Sequence, residues 1–356
     1  MSTTRVLLQS AITLAVAIAA TAARAADEES TTLSVKMFGD FTHASLENDG
    51  VDQPASGTGI DVKRFYFGVL HNFDKTWAVN LTTDFNYVSN DGETQIYVKK
   101  AYAQAKVSDL LIGRLGASDT PWVPFVEDIY RYRYLELEIT DRLKFGTSSD
   151  WGLSASGKTM GGGLNYAFSV LNGGGYKNPT RSSTMDAEGR IGWAPTEGLM
   201  LAAGFYNGKL GKDITNSLTP ALHTAQRYTA LAAYEKKGFR VGLEYFSADN
   251  WFNVTTAAED KAAGYSFWAF YDFTPRYGIL VRYDDTDLSK TVNPSLEDKY
   301  YYAGFAVHAR KNIDFSIVYK NEQVNGGTWN TSNGLIGGVV SGGKFDEIGL
   351  WTEVKF

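Results

Sequence analysis

The residues best suited to chemistry in this chain of 356 residues are charged side chains concentrated in one segment, residues 118–149. Both signs of charge are present there. The candidate residues are Glu127, Asp128, Arg131, Arg133 and Arg142. Charged side chains that face one another across a water-filled passage determine which ions cross it. The segment therefore has the composition of a constriction that discriminates between charged solutes.

Catalytic chemistry finds little support in the residue types. Hydrolysis would require a histidine near a serine, aspartate or asparagine, and the four histidines are scattered at positions 43, 71, 223 and 308. The chain has no cysteine, which excludes disulfides and thiolate metal sites. Phosphate-loop, dinucleotide-binding and zinc-helix motifs do not occur. An enzyme is therefore the least favoured function, and no cofactor is expected.

The first 25 residues predict export. Arg5 precedes an apolar run over residues 11–20, and Ala23 and Ala25 supply the small residues that signal peptidase recognises. A retained membrane helix is the alternative, but four polar residues interrupt a stretch that would need ~20 apolar ones. We expect a signal peptide at 1–25 and a mature domain at 26–356. Removal of the peptide takes away two of 34 basic residues and none of 40 acidic ones, which leaves a net charge of −8.

The mature chain has the composition of long strands joined by tight turns. Only 8 prolines occur, whereas 14% of the residues are aromatic and 36 are glycine. Residues 77–87 alternate strictly, with apolar side chains at Trp77, Val79 and Leu81 and polar side chains between them. Such alternation over about ten residues is typical of strands that face lipid on one side and water on the other. A soluble β-sandwich is less favoured, because its strands are typically about 5–6 residues long.

The fold predicted from this pattern is all-β, a transmembrane antiparallel β-barrel of about sixteen strands. The strands are expected at 32–44, 60–72, 76–88, 95–107, 110–118, 150–158, 162–171, 185–194, 199–208, 224–235, 239–248, 261–273, 277–285, 299–309, 313–322 and 345–356. Short turns alternate with long polar loops, as they do between the periplasmic and outer ends of such barrels. Sixteen strands leave an aqueous lumen, whereas about eight would be filled by side chains.

The ends of the strands indicate an outer membrane. Aromatic residues such as Phe73, Trp193 and Phe273 flank the short turns, as in an interfacial girdle. The last strand alternates and finishes on Phe356, which resembles the signal read by the barrel assembly machinery. We therefore expect a Gram-negative outer membrane, with its lipid and lipopolysaccharide as partners. The acidic net charge argues against nucleic acid as a partner.

The long connection after the fifth strand falls where a third outer loop belongs. Loops of this length are usually functional or disordered, and its aromatic and charged content argues against disorder. We expect it to fold into the barrel and to narrow the lumen; the alternative is a cap over the mouth. By alternation, Lys100 and Arg114 face the lumen. Because Lys63 and Arg64 are adjacent and both basic, alternation does not decide which of them faces the lumen. We favour Arg64 as the residue that faces inward.

Several motifs in the first half occur in one known family. They are Val62-Lys63-Arg64-Phe65-Tyr66-Phe67-Gly68-Val69, Lys100-Ala101-Tyr102, Gly113-Arg114-Leu115-Gly116 and Thr120-Pro121-Trp122. On these motifs, residues 60–175 resemble the phosphate-selective porin O and P family of Gram-negative bacteria. The resemblance implies a sixteen-stranded barrel, a homotrimer and a basic lumen with a constriction loop. The basic residues of this chain at positions that match the family are Lys63, Arg64, Lys100 and Arg114.

The sequence leaves the solute open. A net charge of −8 and a constriction segment of mixed charge depart from a pathway dedicated to phosphate. The first hypothesis is a porin for passive diffusion of small hydrophilic solutes and ions. The second is a channel selective for phosphate, another anion or a small organic solute.

Overall fold

The alternation of side chains produces a single antiparallel sheet that closes on itself. The computed structural model describes residues 29–88, 93–159 and 161–356. Its strands are β1 Ser30–Asn48, β2 Val51–Asp52, β3 Gly57–Asn72, β4 Trp77–Val88, β5 Glu93–Ser108, β6 Leu111–Asp119, β7 Ser149–Lys158, β8 Leu164–Leu171, β9 Asp186–Trp193, β10 Leu199–Gly208, β11 Ala225–Lys236, β12 Phe239–Asp249, β13 Lys261–Asp272, β14 Tyr277–Asp287, β15 Glu297–Arg310, β16 Ile313–Asn325, β17 Gly327–Thr331, β18 Gly334–Gly338 and β19 Gly343–Lys355. Two helices, α1 Val123–Tyr130 and α2 Ile139–Arg142, lie between β6 and β7.

Sixteen of these strands form the barrel, which confirms the predicted fold. Each pairs with its neighbour in the chain, and β1 pairs with β19 from Lys36 opposite Lys355 to Asn48 opposite Gly343. The two-residue strand β2 extends the first hairpin, and β17 and β18 form a separate hairpin in the last long loop. Closure leaves no sheet edge, so every wall strand pairs on both sides, as a lipid environment requires.

The two faces of the sheet differ in the way that alternation predicts. On β13, Tyr265 and Phe267 are 41% and 42% exposed on the outer face, while Trp268 and Phe270 are buried on the inner face. The short turns carry exposed aromatic residues, among them Phe73, which is 51% exposed. The inner face of β13 is more aromatic than a wall in contact with water requires. The reason is that the segment between β6 and β7 packs against it.

Two β-bulges change the parity of basic residues on the first strands. Phe38 pairs with Arg64 and Gly39 with Val62, so Lys63 is an extra residue of β3. In the same way Thr82 pairs with Lys100 and Thr83 with Val98, so Lys99 is an extra residue of β5. A bulge redirects the side chains of its strand. Both members of each basic pair therefore reach the inside of the barrel.

The connections differ between the two ends of the barrel. At the end that holds the first residues of β1 and the last of β19, the strands are joined by short turns, and we call this the turn side. At the other end, the loop side, lies the longest connection, residues 120–148, which we call loop 3. The last long connection, residues 326–342, contains β17 and β18 and is called loop 8. No helix among the described residues is both long and apolar enough to cross a membrane.

Candidate functional site

Loop 3 runs into the barrel rather than over its mouth, as the sequence predicted. It begins with α1, which has a proline in its first turn, a position that suits a residue without an N–H group. The wall carboxylate of Glu188 accepts a hydrogen bond from the backbone N–H of Trp122 at the start of the helix, at 3.3 Å. A negative charge at this end is favourable. The helix ends at Arg131, which adopts a left-handed φ of 67° and donates its N–H to Glu127.

Aromatic residues fasten loop 3 to the inner wall on one side. Trp122, Tyr130 and Tyr134 of the loop are at most 5% exposed, and they belong to one apolar cluster with the wall residues Trp268 and Tyr302. Their polar atoms are also satisfied. The Tyr130 and Tyr302 hydroxyls hydrogen bond at 2.7 Å, and the Trp122 indole donates to Glu244 at 2.8 Å. Such pairing is expected of buried tyrosine and tryptophan.

Arg142 is the polar centre of this attachment. Its guanidinium has no exposed surface and contacts three wall carboxylates: Asp284 at 3.0 Å, Asp298 at 2.5 Å, and Glu322. Helix α2, which carries Arg142, begins at Glu138, whose carboxylate accepts the N–H groups of two following residues. A charge buried this deeply is tolerated because it is paired several times. We call the inner face of β12 to β16, with its attached loop, the anchored wall.

Across the lumen, loop 3 leaves a chamber of about 840 Å³ against the inner face of β1 to β5. We call this face the open wall and the space the turn-side chamber, since the turn residues Lys311 and Asn312 also line it. Basic residues outnumber acidic ones on its surface, seven to four. The basic residues are Lys36, Lys99, Lys100, Arg131, Arg133, Lys311 and Lys355, and the acidic residues are Asp119, Glu127, Asp128 and Glu353. The chamber therefore presents a positive surface to a solute.

A second, smaller chamber of about 320 Å³ lies toward the loop side. Lys144, Lys177 and Arg227 line it together with the acidic residues Asp150 and Glu188. The backbone of residues 173–175 forms part of its wall. We call this space the loop-side chamber, and its lining also holds more basic residues than acidic ones.

Tyr66, Lys99 and Tyr176 lie between the two chambers, and we call this group of residues the neck. Tyr66 and Lys99 line the turn-side chamber, and Tyr176 lines the loop-side chamber. The Lys99 ammonium lies 4.7 Å from the ring centre of Tyr66 and 5.6 Å from that of Tyr176. Both distances are within the range of a cation–π contact. A lysine side chain thus separates one chamber from the other.

The structure brings most of the residues predicted from the sequence together. Lys100, Glu127, Asp128, Arg131 and Arg133 all line the turn-side chamber. Within it, Lys100 pairs with Asp119 at 2.6 Å and Arg133 with Glu127 at 2.6 Å.

The other predicted residues lie elsewhere. Arg64 points inward and pairs with Asp84 at 3.3 Å, while Lys63 pairs with Asp40 at 3.3 Å. Arg114 donates to Gln104 at 2.9 Å on the inner face. Arg142 is enclosed by the anchored wall and contacts neither chamber, so its place is structural.

Sequence reasoning missed the central residue of the neck. Alternation placed Lys100 inward, and the neighbouring lysine would then have faced lipid; the bulge in β5 brings Lys99 inward instead. Two adjacent lysines inside an alternating strand were the available signal, because a charge facing lipid is costly. The neck residues Tyr66 and Tyr176 gave no comparable signal.

The histidines of the barrel pair with carboxylates or hydroxyl groups of neighbouring residues. No group of three histidine, aspartate or glutamate side chains in the described part of the chain could hold a metal ion. His308 lies between Asp272 and Asp314, at 3.1 and 2.7 Å, close to the turn side. His43 and His71 form hydrogen bonds with threonines.

Comparison with known proteins shows what this architecture resembles. No protein-family model matches the chain, and no curated protein sequence does. Among solved structures, the anion-selective porin of Comamonas acidovorans is similar with a TM-score of 0.66 at 12% identity, over 92% of this chain and 100% of that one.

Two further outer-membrane structures are also similar. The channel DcaP of Acinetobacter baumannii has a TM-score of 0.65 at 12% identity, over 94% of this chain and 99% of that one. The trimer form of the outer-membrane protein OmpT of Vibrio cholerae has a TM-score of 0.62 at 11% identity, over 93% and 100%. At such low identity the likeness shows the fold alone. The chain therefore has the fold of the outer-membrane porins of Gram-negative bacteria.

Proposed function

We propose that this protein is an outer-membrane channel through which small hydrophilic solutes and ions diffuse passively, with a preference for anions. The observation that carries the proposal is the turn-side chamber, where seven basic residues face four acidic ones. Charged side chains that line a pore select ions of the opposite sign. A barrel of sixteen strands is also wide enough to hold an aqueous lumen.

The acidic net charge of the chain does not contradict this preference. On the anchored wall, Asp284, Asp298 and Glu322 surround Arg142, and their side chains are fully buried. Glu188 is likewise buried against Arg227, at 2.7 Å. The carboxylates around Arg142 line neither chamber, and Glu188, which borders the loop-side chamber, is neutralised by Arg227. The charge that a solute meets is therefore more positive than the sequence total.

A substrate-selective anion channel is the second candidate. It is supported by the neck, where the Lys99 ammonium lies against the rings of two tyrosines. The similar structure from Comamonas acidovorans is itself described as an anion-selective porin. General diffusion and selective binding differ in whether a solute saturates the pathway.

Planar-bilayer recording of the refolded chain without residues 1–25 tests the proposal. Stepwise current increments would establish a channel, and a salt gradient would give a reversal potential whose sign reports the anion preference. A folded barrel without openings would rule out the channel. Openings with a cation preference would leave the channel and reject the role of the chamber lysines and arginines.

The proposal includes the cellular setting expected from the sequence. Residues 1–25 would direct export and be removed, and Phe356 would be read by the assembly machinery of the outer membrane. The exposed aromatic residues at the turns, such as Phe73 and Phe273, suit the lipid interface. Lipopolysaccharide would cover the outer half of the barrel. A homotrimer is proposed in line with the trimer form of the similar Vibrio cholerae protein.

A further inference from the structure

We propose that the neck is a binding site for one small, singly charged anion of the monocarboxylate type, and that Lys99 determines this specificity. The inference rests on the proposed function, because it requires a lumen that solutes enter. Tyr66 and Arg133 complete the site.

Lys99 is a buried cation that lacks an anionic partner. The residue is only 6% exposed, and its one hydrogen bond in the described structure is to the Tyr66 hydroxyl, at 3.4 Å. It forms no ion pair with any carboxylate of the described residues, in contrast to Lys100, which pairs with Asp119. A buried charge without a counter-ion is costly. An anion in the neck would supply the missing partner.

The Tyr66 hydroxyl supplies a donor aimed at the same place. Its oxygen accepts a hydrogen bond from Arg133 at 2.6 Å and from Lys99 at 3.4 Å. A phenol can donate as well as accept, and in the described structure the hydroxyl proton has no acceptor. Two cations on the oxygen make this proton a stronger donor. An anionic oxygen is the acceptor that suits it best.

The charges around the neck favour a ligand with a single negative charge. The cations grouped there are Lys99, Arg64, Arg133 and Lys177, whose ammonium lies 5.8 Å from the ring centre of Tyr176. Asp84 pairs with Arg64 at 3.3 Å and Glu127 with Arg133 at 2.6 Å, and the Asp141 carboxylate is near enough to interact with Arg133 and Lys177. Four cations therefore accompany three carboxylates, and one positive charge is left over. A monoanion would neutralise it, whereas a second negative charge on the ligand would add repulsion from the carboxylates.

The site lies between the two chambers. Lys99 contacts the face of Tyr66 in the turn-side chamber and that of Tyr176 in the loop-side chamber. We place the path of a solute between the chambers past this ammonium group. Binding there would make the flux of a preferred anion saturable at concentrations where chloride flux still rises.

Single-channel block by acetate, with sulfate as the comparison, tests the proposal at a mildly acidic pH, where acetate is singly and sulfate doubly charged. We expect acetate to reduce the chloride current saturably and sulfate to do so more weakly. Lys99→Gln should weaken the acetate block about tenfold, since it removes a hydrogen bond to a charged group. Tyr66→Phe, which keeps the ring and the lysine, should weaken it about threefold.

Lys106→Gln is the matched control, because Lys106 lies on the same strand but pairs with Asp109 beside a short turn. It should leave the block unchanged. If Lys99→Gln retains the wild-type block, or if sulfate blocks more tightly than acetate, the specificity assigned to Lys99 is wrong. These results are separate from a failure of the proposed function, which would appear as wild-type barrels without any openings. Should Lys99→Gln fail to fold, Tyr66→Phe still decides, because unchanged block in it removes the site.

Discussion

The anchored wall and the open wall of the lumen use the same residue types for different purposes. On the anchored wall, Arg142 and its three carboxylates have no exposed side-chain surface. On the open wall, the side chains of Lys36 and Lys100 are 46% and 25% exposed, and that of Arg131 on the facing loop is 54% exposed. The first set of charges holds loop 3 in place, and the second set is exposed to solutes in the lumen. Burial, rather than residue type, separates the structural charges from those that act on ions.

This difference predicts that substitutions on one wall change stability and substitutions on the other change ion selectivity. Changes on the anchored wall should lower stability and release loop 3. Changes on the open wall should alter ion selectivity while the barrel keeps its stability, because partly exposed ion pairs contribute little to folding.

The largest effect is expected for Arg142→Met. The substitution leaves Asp298 and Glu322 buried without their cation, while Asp284 keeps its pair with Arg282, and breaking a buried pair in this way costs about 3–5 kcal/mol. Urea unfolding of the barrel measures the loss, and channel conductance should rise as loop 3 detaches. Lys290→Met is the control, since Lys290 pairs with Asp287 on the surface and should cost less than about 1 kcal/mol. Equal losses in the two variants would contradict the structural role of Arg142.

A smaller effect is expected for Tyr130→Phe, also on the anchored wall. The loss of one hydroxyl leaves the buried Tyr302 hydroxyl without its partner at 2.7 Å. An unsatisfied buried group costs about 1–3 kcal/mol. The same unfolding measurement applies, with Tyr277→Phe as the control because Tyr277 is 39% exposed at the turn side. A surface change of that kind should alter the free energy of unfolding by no more than about 0.5 kcal/mol. Equal losses of stability in the two variants would show that the hydroxyl pair does not fasten loop 3.

On the open wall, Lys100→Gln should change stability by less than about 1 kcal/mol, because its pair with Asp119 is partly exposed. The reversal potential in a salt gradient should nevertheless shift toward cations, since the chamber loses one positive charge. Asp119→Asn removes the other partner of the same pair and should shift the potential toward anions. Shifts of the same sign in both variants would argue against charge as the origin of selectivity.

The smallest effect concerns the attachment of loop 8 to the first loop. The Asp49 carboxylate accepts hydrogen bonds from the backbone N–H groups of Ser341, Val340 and Val339, which hold its pKa below the ordinary value of 3.8. Because the folded pKa is the lower one, the attachment is complete above pH 3.8 and is lost as the pH falls through the folded pKa. Protection of the three amide protons from exchange, relative to the intrinsic rate at each pH, should then fall, and Asp49→Asn should show low protection at every pH. Protection that is independent of both changes would contradict the attachment.

The sequence was sufficient to predict the barrel because alternation is a local signal. Each of the sixteen strands repeats it, and the loop asymmetry and the position of loop 3 follow from counting along the chain. Five of the nine candidate residues, including Lys100 and Arg133, do line the turn-side chamber. What alternation cannot show is a change of register. The bulge that brings Lys99 inward depends on the pairing between β4 and β5, which no single strand contains.

The role of Arg142 could not be read from the sequence for a different reason. Its three partners lie on β14, β15 and β16, up to 180 residues away in the chain. An arginine in a mixed-charge loop predicts equally well a pore-lining cation and a buried anchor. The hairpin of β17 and β18 lies between the predicted strands 313–322 and 345–356, and its glycine-rich sequence carries only a weak strand pattern.

Loop 3 depends on the end of the chain, and this affects how the protein assembles. The Tyr134 hydroxyl pairs with Ser316, 182 residues later, and the backbone carbonyl of Arg142 accepts the N–H of Ser332 in loop 8. Contacts between such distant residues form slowly, because a long segment must be ordered before they are made. The first six strands can pair with one another before the anchored wall exists. We therefore expect the growing sheet to remain unobstructed until the last strands arrive, so that closing the barrel and narrowing its passage occur as one late step.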